Sequence, residues 1–520
     1  MNTAKFLDSA REKFPAHKDF AKIKDALDYA TAKHAGQKRL SGEDYIVHPV
    51  SVAQILLEWD MDVDSVVAGL LHDVAEDTDT PLAEIAKQFG DDVALLVDGV
   101  TKVSEARAGR EDISKYLPGT KDNLTKLLVA TGQDVRVIII KLADRLHNLR
   151  TLEFQTPEKQ LKKARESLEV FGPLADRLNM GKVRTEIEDI SFRYIAPKRY
   201  NHLKNEMDQR VGAAKKYLGK VKKEVITKLA EEKIDCEIDG RVKSIYSLHK
   251  KLAKYKTADG GDDFDHIYDF VALRIIVADV TTCYLVLGIL HQMFTPLENR
   301  IKDYIARPKP NGYQSLHTTV ETADKQIIEF QIRTRAMHDY AERGLAASFH
   351  YNENKTNDVY AAGGLAPLPA DLSWIRELQE SAAKLRAGEK VDFAKLKLDL
   401  FSDRIFIYTP RGDIFDLPAG ALPLDFAYQV HSDLAAKASG FKINSKMVKF
   451  NTPLKSGDTV EIIPRKNILP SLDWLKKVIT PHAKSKLRAQ LREQDIATPA
   501  KENLQKPTKM PWHKRAKKTK

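Results

Sequence analysis

The sequence predicts a multidomain α+β protein, and three observations carry that expectation. Its 520 residues, 42% of them apolar, give core enough for roughly three to four domains. The first 200 residues repeat apolar positions at helical spacing, whereas FVALRIIVAD and IIEFQIRT in the centre read as strands. From Lys397 short strands alternate with turns, ahead of a basic end. The expected order is an all-α domain, a mixed α/β domain, a small β-rich module and a basic tail.

Composition narrows the function classes. The opening MNTAKFLDSAREKF lacks the apolar core of a signal peptide, and no run approaches the ~20 apolar residues of a membrane span. The expectation is a cytoplasmic protein without a membrane partner. Cys236 and Cys283 are too few for a disulfide framework or a four-cysteine zinc site, so any metal must be held by His and carboxylate. The net charge of +11 is a property of the tail: residues 464–520 carry 16 Lys and Arg against 4 Asp and Glu. Such a tail favours RNA through phosphate contacts and counterion release.

In the helical part, SVAQILLEW and VDSVVAGLLHDVAED place Val66, Val67, Leu70, Leu71 and Val74 on one face. His72, Asp73, Glu76 and Asp77 stack on the other over about one and a half turns. The breaker DTDTP ends the helix. A second helix, VRVIIIKLADRLHNL, turns Val135, Ile138, Ile139, Leu142, Leu146 and Leu149 inward, with Asp144 and Asn148 one turn apart on the opposite face. His48, in IVHP, precedes the first helix, where Pro49 suits the first turn. Two His and two Asp from three segments make a divalent-metal cage, and oxygen ligands mixed with imidazole favour manganese over zinc. The order His48, His72-Asp73, Asp144 resembles the HD metal-dependent phosphohydrolases. That resemblance implies a metal that polarises a phosphoryl oxygen and activates water, with Glu76 and Asp77 orienting or deprotonating it.

Centrally, a charged helical bridge (184–230) and a turn at Asp239-Gly240 lead into RVKSIYSLHKKLAKY. Its Arg241, Lys243, Lys250, Lys251 and Lys254 suit a grip on triphosphate, and Ile245, Leu248 and Leu252 anchor a helix. FVALRIIVAD, apolar on both faces, reads as a buried strand with Asp269 at its mouth. IIEFQIRT alternates, with Ile328, Phe330 and Ile332 on one side and Glu329, Gln331 and Arg333 on the other. If these strands are neighbours, Asp269 and Glu329 share a site able to bind Mg2+. Between them RIKDYIARPKPNGYQSLHTTV, residues 300–320, must loop at Pro308, Pro310 and Gly312. It presents Arg300, Lys302, Arg307 and Lys309 to something anionic, and polyphosphate fits.

GRVKSIYSLHKKL, YDFVALRI, RIKDYIARPKPNGYQSLHTTV and EFQIRT, in this order behind an HD-like domain, resemble the long RelA/SpoT family of guanosine tetra- and pentaphosphate synthetase-hydrolases. The match runs from about His34 to Asp473. It implies an HD-type hydrolase domain (1–180), a nucleotidyltransferase-like synthetase domain (181–351), a linker and helix (352–396), a β-grasp TGS domain (397–464) and the tail (465–520). By this resemblance Asp269 is the magnesium ligand and Glu329 the second acid, able to activate the 3′-hydroxyl of GDP or GTP. Arg241, Lys243 and Lys251 match ATP-phosphate contacts, and Lys309, Asn311 and His317 match contacts around the guanine nucleotide. Tyr313 is placed to stack on guanine. In the hydrolase half, His48, His72, Asp73 and Asp144 match the metal ligands, and Arg39 and Asn148 match positions holding the guanine nucleotide. Arg300 and Lys302 belong to the RxKD form associated with bifunctional members. The implied chemistry is transfer of pyrophosphate from ATP to GDP or GTP, and hydrolysis of (p)ppGpp.

SWIRELQESAAKLR reads as a helix after the linker. The module from Lys397 resembles a TGS domain, which implies contact with uncharged tRNA, with His431 as candidate contact. The tail, ending HKRAKKTK, is expected to add ribosomal RNA affinity. Long members continue into a zinc-binding or RRM-like region and an ACT domain, and this sequence, ending at Lys520, is expected to lack them. Two alternatives stand beside bifunctionality: a hydrolase-dominant enzyme with a latent synthetase, and a ribosome- or tRNA-binding factor with degenerate catalytic domains.

Overall fold

The structure is a computed structural model that describes residues 3–101, 123–253, 261–264, 267, 270–298, 300–309, 311–346, 373–386, 404–410, 414–455, 457–465 and 469–497. The chain divides into two compact units, 1–401 and 402–520.

The first unit opens with helices α1 (Thr3–Lys13), α2 (His17–Lys33), α3 (Val47–Glu58), α4 (Val63–Leu71), α5 (Val74–Asp77), α6 (Leu82–Phe89), α7 (Asp91–Val100), α8 (Asn123–Gln133), α9 (Arg136–Arg150), α10 (Pro157–Glu166), α11 (Gly172–Arg177) and α12 (Gly181–Ile195). Local chemistry sets their starts. Asp62 caps α4 by accepting from the Ser65 amide at 2.7 Å, satisfying one of the helix's orphan donors. Arg136 then ties this cap to the start of α9, donating to Asp62 at 2.8 Å and to Asp134 at 2.6 Å. Helix α4 packs closely on α3 because residue 69 is glycine; a Cβ there would lie 2.6 Å from Leu56 Cδ1. On α9, Ile138, Ile139, Leu142, Leu146 and Leu149 are all buried, each worth about 1.5–3 kcal/mol.

One expectation changes in detail. The helix through VDSVVAGLLHDVAED is interrupted: α4 ends at Leu71 and α5 begins at Val74. His72 Nδ1 donates to the Gly69 carbonyl at 2.8 Å, so the ring competes for a backbone acceptor inside the helix.

The unit continues with α13 (Pro197–Glu231), β1 (Glu237–Val242), α14 (Ile245–Leu252), β2 (Val271–Val277), α15 (Val280–Met293), β3 (Thr295–Pro296), β4 (Lys302–Asp303), β5 (Leu316–Glu321), β6 (Ile327–Thr334) and α16 (Arg335–Arg343). The sheet runs β1-β2-β6-β5-β3, with β4 also pairing β5. β2 and β6, whose pairing the sequence left open, are neighbours, parallel, with Ala272 opposite Glu329. Ile328, Phe330 and Ile332 enter a core with Val221, Val225 and Leu229 of α13 and Val286 and Leu290 of α15. The turn expected at Asp239-Gly240 is instead strand: Asp239 pairs Arg274 and Gly240 pairs Leu273 on an edge where a glycine is tolerated.

Helix α17 (Ser373–Arg386) is the helix expected behind the linker, and it docks on α8. Trp374, Ile375 and Leu378 join the helical core. At Gly132 a Cβ would stand 2.6 Å from the Leu378 carbonyl oxygen, so that contact needs glycine.

In the second unit β7 (Arg404–Tyr408) and β8 (Ile414–Pro418) form an antiparallel hairpin, followed by α18 (Pro423–Val430), α19 (Ser432–Ala436), β9 (Ala438–Ile443), β10 (Lys446–Val448) and β11 (Val460–Pro464). A parallel bridge from Tyr408 to Thr459 links the hairpin to the β10-β9-β11 sheet, and α18 covers the core with Leu424, Phe426 and Tyr428. The fold does not stop where the basic composition begins. Trp474 and Val478, then Ala483 and Leu487 of α20 (Pro481–Ala497), are buried in this same core. Asp425 fixes the junction, accepting from the amides of Leu422, Ile479 and Thr480. The part of the expected tail beyond residue 497 lies outside the described residues, as do 352–372 and 387–396 of the expected linker.

Candidate functional site

Two polar constellations occupy the first unit. The first lies among α3, α4, α5 and α9. His48, on the first turn of α3, His72, between α4 and α5, and Asp144, on α9, bring one ligand atom each within 4.8 Å of one another, all three buried. Asp73 adjoins them: its oxygens lie 3.4 Å from His48 Nε2 and 3.2 Å from His72 Nε2. The four expected ligands therefore meet, although they come from three separate segments.

Their donors fit a divalent cation. His72 Nδ1 donates to a carbonyl, which leaves the Nε2 lone pair of the neutral ring facing His48 Nε2 at 3.2 Å. Two imidazole nitrogens and two carboxylates converging in a buried space suit a cation of transition-metal type. Burial, which disfavours the anion, is overcome at Asp144 by Lys141 (2.8 Å) and the two imidazoles, which hold its carboxyl well below the usual range. At Asp73 burial is likewise outweighed by His72, His48 and the Tyr45 hydrogen bond, and the pKa is lowered. Burial also lowers His48, favouring the neutral ring a metal requires.

Around this cage the structure adds residues that sequence reasoning missed. Tyr45, one turn before His48, donates toward Asp73 at 2.9 Å and Asp77 at 2.5 Å. His147 Nδ1 lies 2.7 Å from His48 Nδ1. Burial, reinforced by His48 and Arg39, pulls His147 down to about 3. Both were findable, since each sits three residues from an expected ligand on a helix or the turn leading into one. Asn148 donates to Asp144 at 2.5 Å, and Arg39 donates to Thr151 at 3.2 Å. Asp77 is exposed and Glu76 partly so, on the short α5 beyond the ligands.

The second constellation follows from strand register. Arg241, Ala272, Glu329 and Thr319 stand in one row across β1, β2, β6 and β5. Two residues along, Asp239, Arg274, Gln331, His317 and Lys302 form the next row, which side-chain alternation puts on the same face. That register brings loop 300–320 to Glu329. Gln331 donates to Glu329 at 2.8 Å and accepts from Arg241 at 3.1 Å; His317 Nδ1 is 3.5 Å from Glu329, and its Nε2 is 2.9 Å from the Tyr313 hydroxyl. Lys309 Nζ sits 4.7 Å over the Tyr313 ring and 4.8 Å over that of Tyr304.

This face is strongly cationic. Burial pulls Lys309 down to about 8, with Asp176 opposing and Arg184, Lys302 and Arg241 adding to it. Burial and the same kind of repulsion hold His317 well below the usual imidazole range. Arg333, 1% exposed, is lowered to about 10 by burial and by Arg274 and Arg241. Buried cations only partly offset by Asp176 and Glu342 favour an anionic ligand.

Not every expected contact points into the face. Asn311 donates to the Asp176 carbonyl at 3.0 Å, tying the loop to α11. Gly312, at φ +75°, makes the turn beside Tyr340, whose ring leaves no room for a Cβ. Asp303 holds the RxKD turn, accepting from the amides of Ile305 and Ala306 and from the Tyr284 hydroxyl. Arg300 and Lys302 are exposed, and Lys243 and Lys251 are half-buried at either end of α14. Asp189 of α12 accepts from the amides of Ile245 and Tyr246, anchoring that helix start. Asp269 and Lys254 lie outside the described residues.

Comparison with known proteins matches residues 26–181 to the HD domain, 240–356 to the region found in RelA / SpoT proteins, and 405–464 to the TGS domain. The chain is 42% identical over 472 residues to a GTP pyrophosphokinase of Myxococcus xanthus, covering 91% of this chain and 60% of that protein. It is 40% identical over 496 residues to a guanosine-3′,5′-bis(diphosphate) 3′-pyrophosphohydrolase of Aquifex aeolicus, covering 94% and 67%. To a bifunctional (p)ppGpp synthase/hydrolase of Mycobacterium tuberculosis it is 39% identical over 483 residues, covering 92% of this chain. The chain thus spans about three-fifths of the length of the first of these relatives. Among the described residues no helix is long and apolar enough to cross a membrane.

Proposed function

The chain belongs to the RelA/SpoT family, and from that premise we propose a bifunctional alarmone enzyme that makes (p)ppGpp from ATP and GDP or GTP and hydrolyses it again. What supports this reading is that one compact unit holds both the His48-His72-Asp144 cluster and the Glu329 face with its surrounding cations. Binding alone needs neither.

For hydrolysis, Arg39 and Asn148 hold the guanine nucleotide while Tyr45 orients Asp77. One of Glu76 and Asp77 takes the proton from the attacking water; its oxygen bonds to phosphorus, the bond to the 3′-oxygen breaks, that oxygen takes the proton back as a hydroxyl, and pyrophosphate leaves. His48, His72, Asp73 and Asp144 would hold a divalent cation, manganese in our reading, which would supply Lewis-acid polarisation of the phosphoryl group. For synthesis, Arg241, Lys243 and Lys251 grip the ATP phosphates, and Lys302, Lys309 and His317 line the acceptor side. Glu329, held by Gln331, receives the proton of the 3′-hydroxyl. Asp269 and Glu329 would hold magnesium, which would neutralise the phosphates, leaving positioning and charge to supply most of the catalysis. We infer a cytoplasmic site of action, where ATP and GDP, the proposed substrates, are available. Uncharged tRNA and the ribosome are proposed partners through exposed His431 and the basic end. Unchanged ribosome cosedimentation after deletion of 501–520 would remove the tail from that proposal.

A second reading, hydrolase-dominant with a latent synthetase, draws on the acceptor loop. Asn311 is engaged by the Asp176 carbonyl, the Tyr313 hydroxyl by His317, and Lys309 lies over the Tyr313 ring where guanine would stack. One purified preparation decides between them, given ATP plus GDP with Mg2+ and, separately, ppGpp with Mn2+. Product in both supports bifunctionality, product only from ppGpp supports the second reading, and product in neither removes both.

A further inference from the structure

His48 presents its two ring nitrogens to different surroundings. Nε2 faces the metal cage, 3.2 Å from His72 Nε2 and 3.4 Å from Asp73 Oδ2 and Asp144 Oδ1. Nδ1 faces away and lies 2.7 Å from Nδ1 of His147, with both rings buried. Two imidazole nitrogens that close share one proton, so one ring donates and the other accepts.

Arg39 breaks the symmetry. One guanidinium nitrogen lies 3.4 Å from the same His147 Nδ1 and the other donates to Thr151. A guanidinium only donates, so His147 Nδ1 serves as acceptor and the proton belongs to His48 Nδ1. The carboxylates at 3.4 Å would draw that proton to Nε2 instead. At 2.7 Å His147 Nδ1 is the closer acceptor, and the Arg39 guanidinium 3.4 Å from the same atom disfavours a proton on it. The Nε2 lone pair of His48 then points into the cage. His72 reaches the same state through the Gly69 carbonyl.

We infer that His147 is a positioning residue of the metal site, holding His48 in the Nδ1–H tautomer before a cation arrives, with Arg39 selecting His147 as the acceptor. Residues that fix the tautomer of a ligating histidine are worth roughly 10- to 100-fold in metal affinity. The inference rests on the metal-dependent hydrolase reading and adds to it a residue that makes no metal contact. It also gives Arg39 a part in building the site as well as in binding nucleotide.

The test uses the full chain and Mn2+ alone, titrated calorimetrically. Wild type should bind one ion in the cluster; His147→Leu should bind it roughly 10- to 100-fold more weakly; and His147→Asn, whose amide oxygen can accept at the place of Nδ1, should stay within about threefold of wild type. Histidine ring 15N spectra of metal-free wild type give a readout that needs no variant, and should show His48 protonated at Nδ1 and bare at Nε2. Equal affinity in His147→Leu, or a metal-free His48 protonated at Nε2, overturns the inference and leaves the hydrolase reading standing. Failure of wild type to bind Mn2+ overturns both. If His147→Leu does not fold, as judged by circular dichroism, the Asn variant and the wild-type spectra still decide.

Discussion

Tyr45→Phe isolates one hydroxyl at the cage. The ring stays useful without it, stacked on His34 with centroids 4.7 Å apart and meeting His48 edge-on. The hydroxyl reaches Asp73 at 2.9 Å and Asp77 at 2.5 Å, but it carries a single proton and donates to one carboxylate at a time. The loss is therefore one hydrogen bond to a charged acceptor, about 1.5–3 kcal/mol. If that bond orients Asp73 and Asp77 for water activation, its loss appears in the barrier, and hydrolysis slows about 10- to 150-fold. Folding should change little, because packing is conserved and the carboxylates regain water. The assay is single-turnover release of pyrophosphate from ppGpp with saturating Mn2+, beside pyrophosphoryl transfer from ATP to GDP by the same preparation. A hydrolysis rate within twofold of wild type would refute the reasoning, as would an equal loss of synthesis.

Three further outcomes follow from the geometry. Lys309, at about 8 in the folded protein, is mostly neutral at pH 9, and an anionic nucleotide beside it favours the cation. Acceptor binding should then take up about one proton at pH 9 and almost none at pH 6.5, measured calorimetrically in buffers of different ionisation enthalpy; Lys309→Arg should abolish the uptake. Arg136→Leu leaves Asp62 and Asp134 without the guanidinium that joins the starts of α4 and α9, and should cost about 3–5 kcal/mol, read as a lower melting temperature and weaker Mn2+ binding. Gly132→Ala should push α17 off α8 at a cost of about 1–3 kcal/mol, seen as a red-shifted Trp374 emission against a Trp374→Phe control.

Much of this was legible in the sequence wherever a period met a motif. The apolar stripe of α9 fixed which way Asp144 faces, and the alternation of IIEFQIRT put Glu329 opposite the core-facing Phe330. The motifs ordered His48, His72 and Asp73 without any knowledge of how α3, α4 and α9 pack. What escaped was set by contacts distant in sequence. His147 had only its place three residues after Asp144 to suggest it, and the contact that gives it a role, 2.7 Å from a partner 99 positions earlier, is set by the fold. The docking of α17 on α8 depends on Gly132, about 240 positions upstream, and no local pattern announces it. In the second unit the many lysines obscured a second pattern, Trp474, Val478, Ala483 and Leu487, that carries the fold into what composition alone calls a tail. The supposed turn at Asp239-Gly240 failed because glycine reads as punctuation, whereas an edge strand accepts it.

The central claim is that two separable reactions share one folded unit. It is tested most directly by measuring both reactions on Asp144→Asn and Glu329→Gln. Asp144→Asn should lose hydrolysis and retain synthesis, and Glu329→Gln should do the reverse, each loss at least on the order of 100-fold. Loss of both reactions from either substitution, with melting temperature unchanged, would contradict it.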